Sequence, residues 1–474
     1  MGITAECYRR MQWLKNLPRS QHRMFEKTTR REPHMSTTLS AGVDTGTAMF
    51  VNSDLSSVLR GRSFPVGRLP NLVQAGLPWV PINLLISPLN TIPGDNPFGP
   101  VGETRLIADL NAHVTLPSVG NRSAMLLHLS DIHDTDGSPW AVCPRAQLKR
   151  AIADLEREFG LRLLVGFEHE FYIYGSDNVP GPAFSVSSNR NGAALADAVC
   201  NALATGGITL EQFSAEYGEH QFEIASPPAD TLTAADQAVL SREVIRDVTQ
   251  TQGFRATFIP KPQPNQAGSG VHIHFSLWRS SKQPATAFKG KLTTEAGSFC
   301  AGILNNLASL IGFTTPSVNS FARHKPSSWV GVYSCIGERN REAAIRFCPR
   351  SSDEDGWHQN ATLEFRVADA TANPYLALAA LIRAGLDGLR DSLEEPTNVD
   401  RDPAAMSEAE RLAVGAHRLP TSISEVLEGI DRAGAAERWF GNLFWSAYRC
   451  TRLNDVADAE KAGDSYTERL SWAI

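Results

Sequence analysis

The sequence predicts an α+β protein, and three observations carry this prediction. Residues 45–140 consist of short apolar segments between polar turns and Pro- and Gly-rich loops, a pattern typical of strands. From residue 144, strand-like and helix-like segments alternate up to about residue 390. The remainder of the chain, to Ile474, has a mostly helical pattern. The change of pattern near Cys143 and Pro144 predicts a domain boundary there.

Each predicted element has a local signal. TAMFVNSDLSSVLRGR predicts two strands joined by a polar turn, and PLNTIPGDNPFGP is too rich in Pro and Gly for regular structure. AMLLHLSDIHDTDGSPW predicts a strand followed by a turn. PRAQLKRAIADLEREFG predicts a helix that begins at Pro144 and ends at Gly160. TANPYLALAALIRAGLDGLR predicts a further helix, opened by its Asn-Pro pair. The apolar stripe of the first helix comprises Leu148, Ile152, Leu155 and Phe159.

Composition excludes several classes of protein. The net charge of −6 provides no global basic field, so we expect no nucleic-acid partner. No apolar run reaches the roughly 18 residues that a membrane-spanning helix needs. The seven cysteines are scattered without a C-x-x-C pair, which indicates reduced thiols in a cytoplasmic protein.

The first 44 residues differ from the rest of the chain. Residues 1–34 carry eight Lys and Arg against three Glu, so we predict a basic extension, partly disordered, over residues 1–44. An import-type presequence is one alternative. A start-site extension, with Met35 as the natural start, is another.

Carboxylates stand on one face of an otherwise apolar strand, VGFEHEFYIY. Because side chains alternate faces along a strand, Glu168, Glu170 and Tyr172 share one face and apolar residues share the other. Two carboxylates on one wall repel each other unless a cation lies between them. The alternative is an exposed edge strand with a solvated face.

Three more segments repeat this design of an apolar face opposite a charged or imidazole face. Together they predict a Glu-rich site with His, which suits Mg²⁺ or Mn²⁺ better than Zn²⁺. Such sites commonly serve phosphoryl chemistry. The segments are EYGEHQFEI with Glu216 and Glu223, AGSGVHIHFSLW with His272, His274 and Ser276, and LEFRV with Glu364 and Arg366.

Arginines crowd the segment GERNREAAIR. Arg339, Arg341 and Arg346 place three guanidinium groups close together in sequence. Beside a carboxylate and metal site, this spacing predicts phosphate clamps. A salt-bridged surface is the alternative.

These segments, in this order, resemble the glutamine synthetase family. The motifs are GFEHEF, AEYGEHQFE, ATFIPKPQPNQAGSGVHIHFSLW, NSFARHKP, ERNREAAIR and LEFRVADATANPYLALAAL. The resemblance covers roughly residues 45–474. It implies a β-grasp domain over residues 45–143 and a catalytic domain over 144–474, built on a curved antiparallel sheet flanked by helices. It also implies a homo-oligomer, a dodecamer of two hexameric rings, in which neighbours share each active site.

The resemblance also implies the site. It calls for ATP as co-substrate, L-glutamate, and two to three Mg²⁺ or Mn²⁺ ions per site. Carried over by position, the metal ligands are Glu170, Glu216 and Glu223 for one ion and Glu168, His272 and Glu364 for the second; the ATP contacts are His274, Ser276, Arg341 and Arg346; the glutamate contacts are Gly268, Arg323 and Arg366. The implied reaction forms γ-glutamyl phosphate, with Arg341 stabilising the transferring phosphoryl group, and an amine then displaces phosphate.

The sequence departs from the family where the second substrate should enter. Ammonia-using members carry a Glu six residues after the arginine of the NS-x-x-R segment, whereas Trp329 stands there in this chain. No Asp or Glu lies between Arg323 and Gly337, so a small slip in alignment does not restore the carboxylate. Asp54 matches the aspartate that reaches a neighbour's amine site, and we predict it as the remaining base. Milder departures are Ser57 for Gly, Glu219-His220 for Pro-Gly and Ala267 for Asn.

These residues predict an ATP-dependent ligase that joins the γ-carboxylate of glutamate to a primary alkyl- or arylamine at Trp329, as the first step of amine breakdown. A glutamine synthetase that uses ammonia and a γ-glutamyl-polyamine synthetase are the enzymatic alternatives. A structural assembly protein and a regulatory binding protein are non-enzymatic alternatives, but the retention of every metal-ligand position disfavours them.

Overall fold

The structure, a computed structural model, describes residues 46–176, 179–279, 283–349 and 361–474. Residues 45–474 form one compact unit. The predicted basic extension over residues 1–44, with Met35, lies outside the described residues.

The strands of the described residues form a five-stranded sheet, a ten-stranded sheet and a two-stranded sheet. They are β1 Thr47–Ser53, β2 Leu59–Pro65, β3 Leu77–Trp79, β4 Thr104–Leu116, β5 Met125–Asp134, β6 Leu161–Tyr174, β7 Gln212–Ala215, β8 Gln221–Ala225, β9 Ala229–Asp230, β10 Arg255–Thr257, β11 Val271–Arg279, β12 Gln283–Pro284, β13 Ala287–Phe288, β14 Lys291–Leu292, β15 Ile336–Glu338, β16 Ile345–Cys348 and β17 Thr362–Phe365.

One short helix lies among the N-terminal strands, and helices dominate the last hundred residues. They are α1 Leu69–Ala75, α2 Pro144–Phe159, α3 Val186–Ala204, α4 Thr231–Thr251, α5 Thr294–Asn305, α6 Leu307–Thr314, α7 Val318–Arg323, α8 Pro374–Arg390, α9 Glu408–Ala413, α10 Ile423–Ala433, α11 Ala435–Phe440, α12 Asn442–Ala462 and α13 Tyr466–Ala473, with 3₁₀ turns at Val66–Arg68, Pro81–Leu85, Pro403–Ala405 and Gly463–Ser465. In the part of the chain that the structure describes, no single helix is long and apolar enough to cross a membrane, although α5 and α6 together reach that threshold across a bend of 78°.

The N-terminal sheet has five strands in the order β2-β1-β5-β4-β3. β1 runs parallel to β5, and the other pairs are antiparallel. The predicted pair of strands around the polar turn is present as β1 and β2. This mixed sheet agrees with the β-grasp prediction.

The second sheet follows the order β15-β16-β17-β11-β6-β8-β7. Its pairs are antiparallel except for β15 with β16. On β6 the apolar face, with Val165, Phe167 and Phe171, is buried, and α4 packs on this strand. Glu168 and Glu170 lie on the opposite face, as alternation predicts. The α+β prediction is therefore confirmed, whereas the domain boundary at residue 143 stays a prediction.

The two helices with explicit sequence signals form as predicted. α2 begins at Pro144, and Gly160 ends it in the left-handed conformation, with φ 63°. α8 is capped by Asn373, whose side chain accepts hydrogen bonds from the backbone N–H groups of Tyr375 and Leu376. These caps satisfy donors that a helix start leaves unpaired.

Two positions where the resembled family has glycine take a backbone conformation that favours glycine. Ser57 has φ 66° and His220 has φ 59°. Ser57 compensates through its hydroxyl, which donates to the carbonyl of Ala372 (2.7 Å) and accepts from Arg242 (2.9 Å). Both positions therefore have a left-handed backbone although neither residue is glycine.

Candidate active site

A cavity of about 810 Å³ opens on the polar face of the second sheet. Twelve predicted site residues line it, and they come from strands, from connections between strands, from a glycine loop, from the end of α7 and from the segment around residue 329. They are Glu168, Glu170, Glu216, Glu223, Gly268, His272, Arg323, Trp329, Arg341, Arg346, Glu364 and Arg366.

Strand register brings the ligand-type residues together. Directly opposite one another across the sheet are Glu168 and His272 on β6 and β11, and Glu170 and Glu223 on β6 and β8. His274 lies opposite Glu364 on β11 and β17 in the same way. Since opposed residues in an antiparallel pair have Cβ atoms only about 5 Å apart, the pairing alone assembles the cluster.

Side-chain geometry within the cluster is tight. His272 Nδ1 lies 3.2 Å from one carboxylate oxygen of Glu168, and His274 Nε2 lies 3.1 Å from the other. Two groups have ligand atoms within 4.8 Å of one another: Glu168 with Glu223 and His272, and Glu168 with His274 and Glu364. These oxygen-rich groups with imidazole fit a divalent cation.

This grouping differs from the predicted one. His274, predicted to contact ATP, joins a candidate metal group. Glu170 and Glu216 line the cavity outside both groups. The carboxylate of Glu170 accepts from the backbone N–H of Gly270 (2.8 Å), and that of Glu216 from its neighbour Tyr217 (3.1 Å). Their predicted metal role stays a prediction.

Crowding of the carboxylates perturbs their ionisation. Burial, followed by repulsion from Glu168 and Glu170, raises the pKa of Glu223 to about 9. Burial and repulsion from Glu170 raise the pKa of Glu216 to about 7. Burial would also raise the pKa of Glu168, but hydrogen bonds with His272 and His274 outweigh it and lower that pKa. A bound cation would replace the protons that this cluster otherwise retains.

The predicted phosphate arginines divide into two sets. Arg346 forms an ion pair with Glu364, and its place opposite Glu364 in the β16–β17 register explains why. Arg341 lines the cavity directly. Arg339 instead is exposed and lines a separate cleft. Its Nε lies 3.7 Å from Oε1 of Glu338.

The glycine loop before β11 holds Arg323 in place. A Cβ atom at Gly270 would lie 2.3 Å from Arg323 Nη2, and one at Gly268 would lie 2.8 Å from Arg323 Cγ. Glycine is needed at both positions because the arginine side chain packs directly on the backbone. The loop itself is fixed by Tyr172, whose hydroxyl donates to the carbonyl of Ala267 (2.9 Å).

An exposed flap, residues 325–329, overhangs the cavity between the buried residues His324 and Val330. Trp329 is 57% exposed and has φ 59°. Its carbonyl accepts from Arg366 (2.9 Å), and its backbone N–H donates to the carboxylate of Glu342 (2.6 Å). The sequence did not predict Glu342 as a site residue. Its position directly after Arg341 is the one feature that could have indicated it.

Besides Arg339, three predicted residues do not line the cavity. His274 lies beside it, bonded to Glu168. Ser276 accepts a hydrogen bond from the indole of Trp278 (2.8 Å). Asp54 is fully buried in the N-terminal sheet region, 2.6 Å from Arg60, and burial raises its pKa to about 6. Its predicted role as a base for a neighbouring subunit stays a prediction.

The fold and the site together define the class of protein. The N-terminal domain of glutamine synthetase matches residues 44–140, and the glutamine synthetase catalytic domain matches residues 141–469. The chain belongs to the glutamine synthetase family. It is therefore an ATP-dependent ligase, of a family that uses glutamate and divalent metals.

Relatives within the family have different names. The chain is 32% identical to the gamma-glutamylpolyamine synthetase GlnA3 of Streptomyces coelicolor, over 87% of this chain and 90% of that protein. It is 29% identical to the glutamine synthetase of Pyrococcus furiosus, over 82% of this chain and 86% of that protein. A solved structure described as a novel glutamine synthase homolog superposes with a TM-score of 0.80 at 32% identity, covering 90% of this chain and 98% of its own.

Proposed function

We propose that the chain joins the γ-carboxylate of L-glutamate to a primary amine, giving a γ-glutamyl amide, ADP and phosphate. One observation carries the proposal. Trp329 of the flap lines the cavity, and the surrounding segment, residues 324–337, contains no Asp or Glu. An indole cannot take a proton or attract ammonium by formal charge, but its face packs well on carbon chains and rings. The cavity therefore suits an amine larger than ammonia.

The sheet would hold the cations that the family uses. Glu168, Glu223 and His272 would bind one Mg²⁺ or Mn²⁺ ion, and Glu168, His274 and Glu364 provide a second set of ligand atoms. Bound there, the ions would neutralise the charge that develops on the transferring phosphoryl group.

Protein side chains orient the reactants around that charge. Arg341 and Arg346 line the cavity as donors for the phosphates. His274 and Ser276, which lie outside its lining, stay predicted ATP contacts. Arg323 and Arg366, both buried, are placed to bind the carboxylates of glutamate beside Gly268. Holding glutamate and ATP in one cavity converts phosphoryl transfer into an intramolecular step.

A panel of nucleophiles tests the proposal. Phosphate release from ATP is measured with glutamate and, in turn, ammonium, ethylamine, isopropylamine, aniline, putrescine and spermine. We expect the highest kcat/KM with an organic amine. Ammonium as the best substrate would contradict the proposal and make the chain a glutamine synthetase.

A second candidate, a γ-glutamyl-polyamine synthetase, is favoured by a specific observation. A cleft of about 350 Å³ adjoins the cavity at Trp329, and its lining combines four carboxylates, which suit a second ammonium group, with the guanidinium groups of Arg339, Arg341 and Arg401. The similarity of the chain to the gamma-glutamylpolyamine synthetase GlnA3 also favours this candidate. Putrescine or spermine as the best substrate of the panel would select this candidate. The acidic residues of the cleft are Glu338, Glu342, Asp400 and Asp402.

The proposal also includes four further properties of the chain. They are a cytoplasmic location, a dodecamer of two hexameric rings, a role in amine breakdown, and a division into domains at residue 143. Light scattering in solution tests the assembly.

A further inference from the structure

We infer that Glu342 receives the ammonium group of the incoming amine and takes its proton before the attack on γ-glutamyl phosphate. This inference rests on the proposed function, since it concerns the second substrate of the same site. It supplies the carboxylate that the flap lacks, from a strand connection on the other side of Trp329.

The position of Glu342 carries the inference. One of its carboxylate oxygens accepts the backbone N–H of Trp329 at 2.6 Å, which places the charge at the tip of the flap. The backbone of Glu342 is fixed in turn, because its N–H donates to the side chain of Asn340 (2.9 Å). A carboxylate with one oxygen hydrogen-bonded and its own backbone anchored is oriented before the substrate arrives.

Neighbouring contacts connect this carboxylate to the reacting groups. Arg366 donates both to the carbonyl of Trp329 and to the carbonyl of Arg341, each at 2.9 Å. Trp329 and Arg341 line both the main cavity and the adjoining cleft, and Glu342 lines that cleft. An amine that enters through the cleft therefore passes Glu342 on its way to the main cavity.

The chemistry of the carboxylate suits this role. Glu342 is only 9% exposed, and burial together with repulsion from Asp402 raises its pKa above that of a free glutamate. A carboxylate with a raised pKa is a better base. Among the other carboxylates around the cavity, Glu168, Glu223 and Glu364 belong to the candidate metal groups. Glu170 and Glu216 are predicted metal ligands, and Asp54 lies buried against Arg60.

The proposed step balances as follows. The ammonium R–NH₃⁺ transfers one proton to the Glu342 carboxylate and becomes R–NH₂. Its lone pair forms the C–N bond at the γ-carbonyl carbon, and the C–O bond to phosphate breaks with its electron pair on phosphate. The surplus proton on nitrogen leaves with the phosphate, and Glu342 returns its proton to solvent through the cleft.

Two nucleophiles of the same size separate proton removal from positioning. Ethylamine is almost fully protonated at pH 7, whereas methoxyamine is almost fully neutral and needs no base before attack. In Glu342→Gln the side-chain carbonyl still accepts from Trp329, so the flap anchor remains. We expect kcat/KM for ethylamine to fall by about 10² to 10³ and that for methoxyamine to change by less than about threefold. The deficit with ethylamine should shrink as the pH rises towards the pKa of the amine.

Ser327→Ala is the matched control, because it removes another anchor of the flap, the hydrogen bond from the Ser327 hydroxyl to Asp402 (2.8 Å), without changing a carboxylate of the cleft. We expect it to affect both nucleophiles equally and weakly. Equal losses on both nucleophiles in Glu342→Gln, or no loss on either, would overturn the inference. Failure of the proposed function would instead show in the unaltered chain, as a preference for ammonium over every organic amine. In that case ammonium and hydroxylamine replace ethylamine and methoxyamine as the pair that tests Glu342.

Discussion

The floor and the flap of the cavity are built in opposite ways. The floor is a sheet in which Glu168, Glu223 and His272 are placed by strand pairing and are mostly screened from solvent. The flap over residues 325–329 is exposed, contains left-handed backbone at Ser327 and Trp329, and is held by a few side-chain hydrogen bonds.

This difference separates the two halves of the reaction. A strand cannot slip without moving every ligand to the wrong face, so the floor keeps the phosphoryl chemistry constant. A loop tolerates substitution because few packed neighbours depend on it. The flap around Trp329 can therefore change in sequence while the groups of the floor stay in place.

Breaking the floor should have the largest effect. Glu168→Ala removes the carboxylate that contacts both His272 and His274, and it belongs to both candidate metal groups. We expect turnover to fall by at least about 10³ with every nucleophile, because electrostatic stabilisation of the phosphoryl group is lost. Steady-state phosphate release and Mn²⁺ titration measure this. Full activity, or a loss confined to one amine, would remove Glu168 from the metal site.

Altering the flap should change substrate choice without abolishing turnover. Trp329→Glu restores a carboxylate at the tip, so we expect the ratio of kcat/KM for ammonium to that for ethylamine to rise by roughly 10-fold to 100-fold, as one new charge contact allows. Competition between the two amines, read by mass spectrometry of the products, measures the ratio. Trp329→Phe, which keeps an apolar face, serves as the control. An unchanged ratio would place Trp329 outside the amine pocket.

The floor should also make metal-free stability depend on pH. The folded pKa values of Glu216 and Glu223, about 7 and about 9, lie above the unfolded value of 4.5. Their raised pKa values therefore stabilise the fold fully below about pH 4.5, and this contribution is lost as the pH rises through 7 and 9. We expect the Tm in EDTA to fall between pH 5 and pH 9.

Mg²⁺ or Mn²⁺ should reverse that fall, since a ligand of the folded state stabilises it. Glu223→Gln should flatten the dependence in EDTA, because a neutral side chain does not titrate. Differential scanning fluorimetry measures both. A Tm that does not change with pH in EDTA would show that the carboxylates are not crowded as the structure places them.

The smallest effect concerns the turn that joins β7 and β8 on the floor. His220 has a left-handed backbone, which favours glycine. In the described part of the chain its side chain makes no hydrogen bond that His220→Gly would remove. We expect the free energy of unfolding to rise by roughly 0.5–1 kcal/mol, with amine preference unchanged. Urea unfolding measures it. Ser57→Gly is the comparison, because there the gain is offset by the lost bonds to Ala372 and Arg242. A destabilised His220→Gly would mean that the histidine side chain makes a stabilising contact.

Much of the floor was predictable because strand alternation is local. The faces of Glu168 and Glu170 follow from a period of two, and the start of α2 follows from Pro144. The grouping of ligands was not predictable. His274 joins Glu364 only because β11 pairs with β17 in one register, and no local signal specifies that register.

The sequence by itself determined the fold class, the family, the ligand-type residues and the absence of a carboxylate from the flap. These depend on residue identity and on short-range periodicity, which need no partner strand. Only the tertiary structure decided which carboxylates crowd one another, that Asp54 is buried against Arg60, and that Glu342 reaches the backbone of Trp329. These contacts join residues whose distances depend on how strands and loops pack, and residue spacing along the chain does not determine packing.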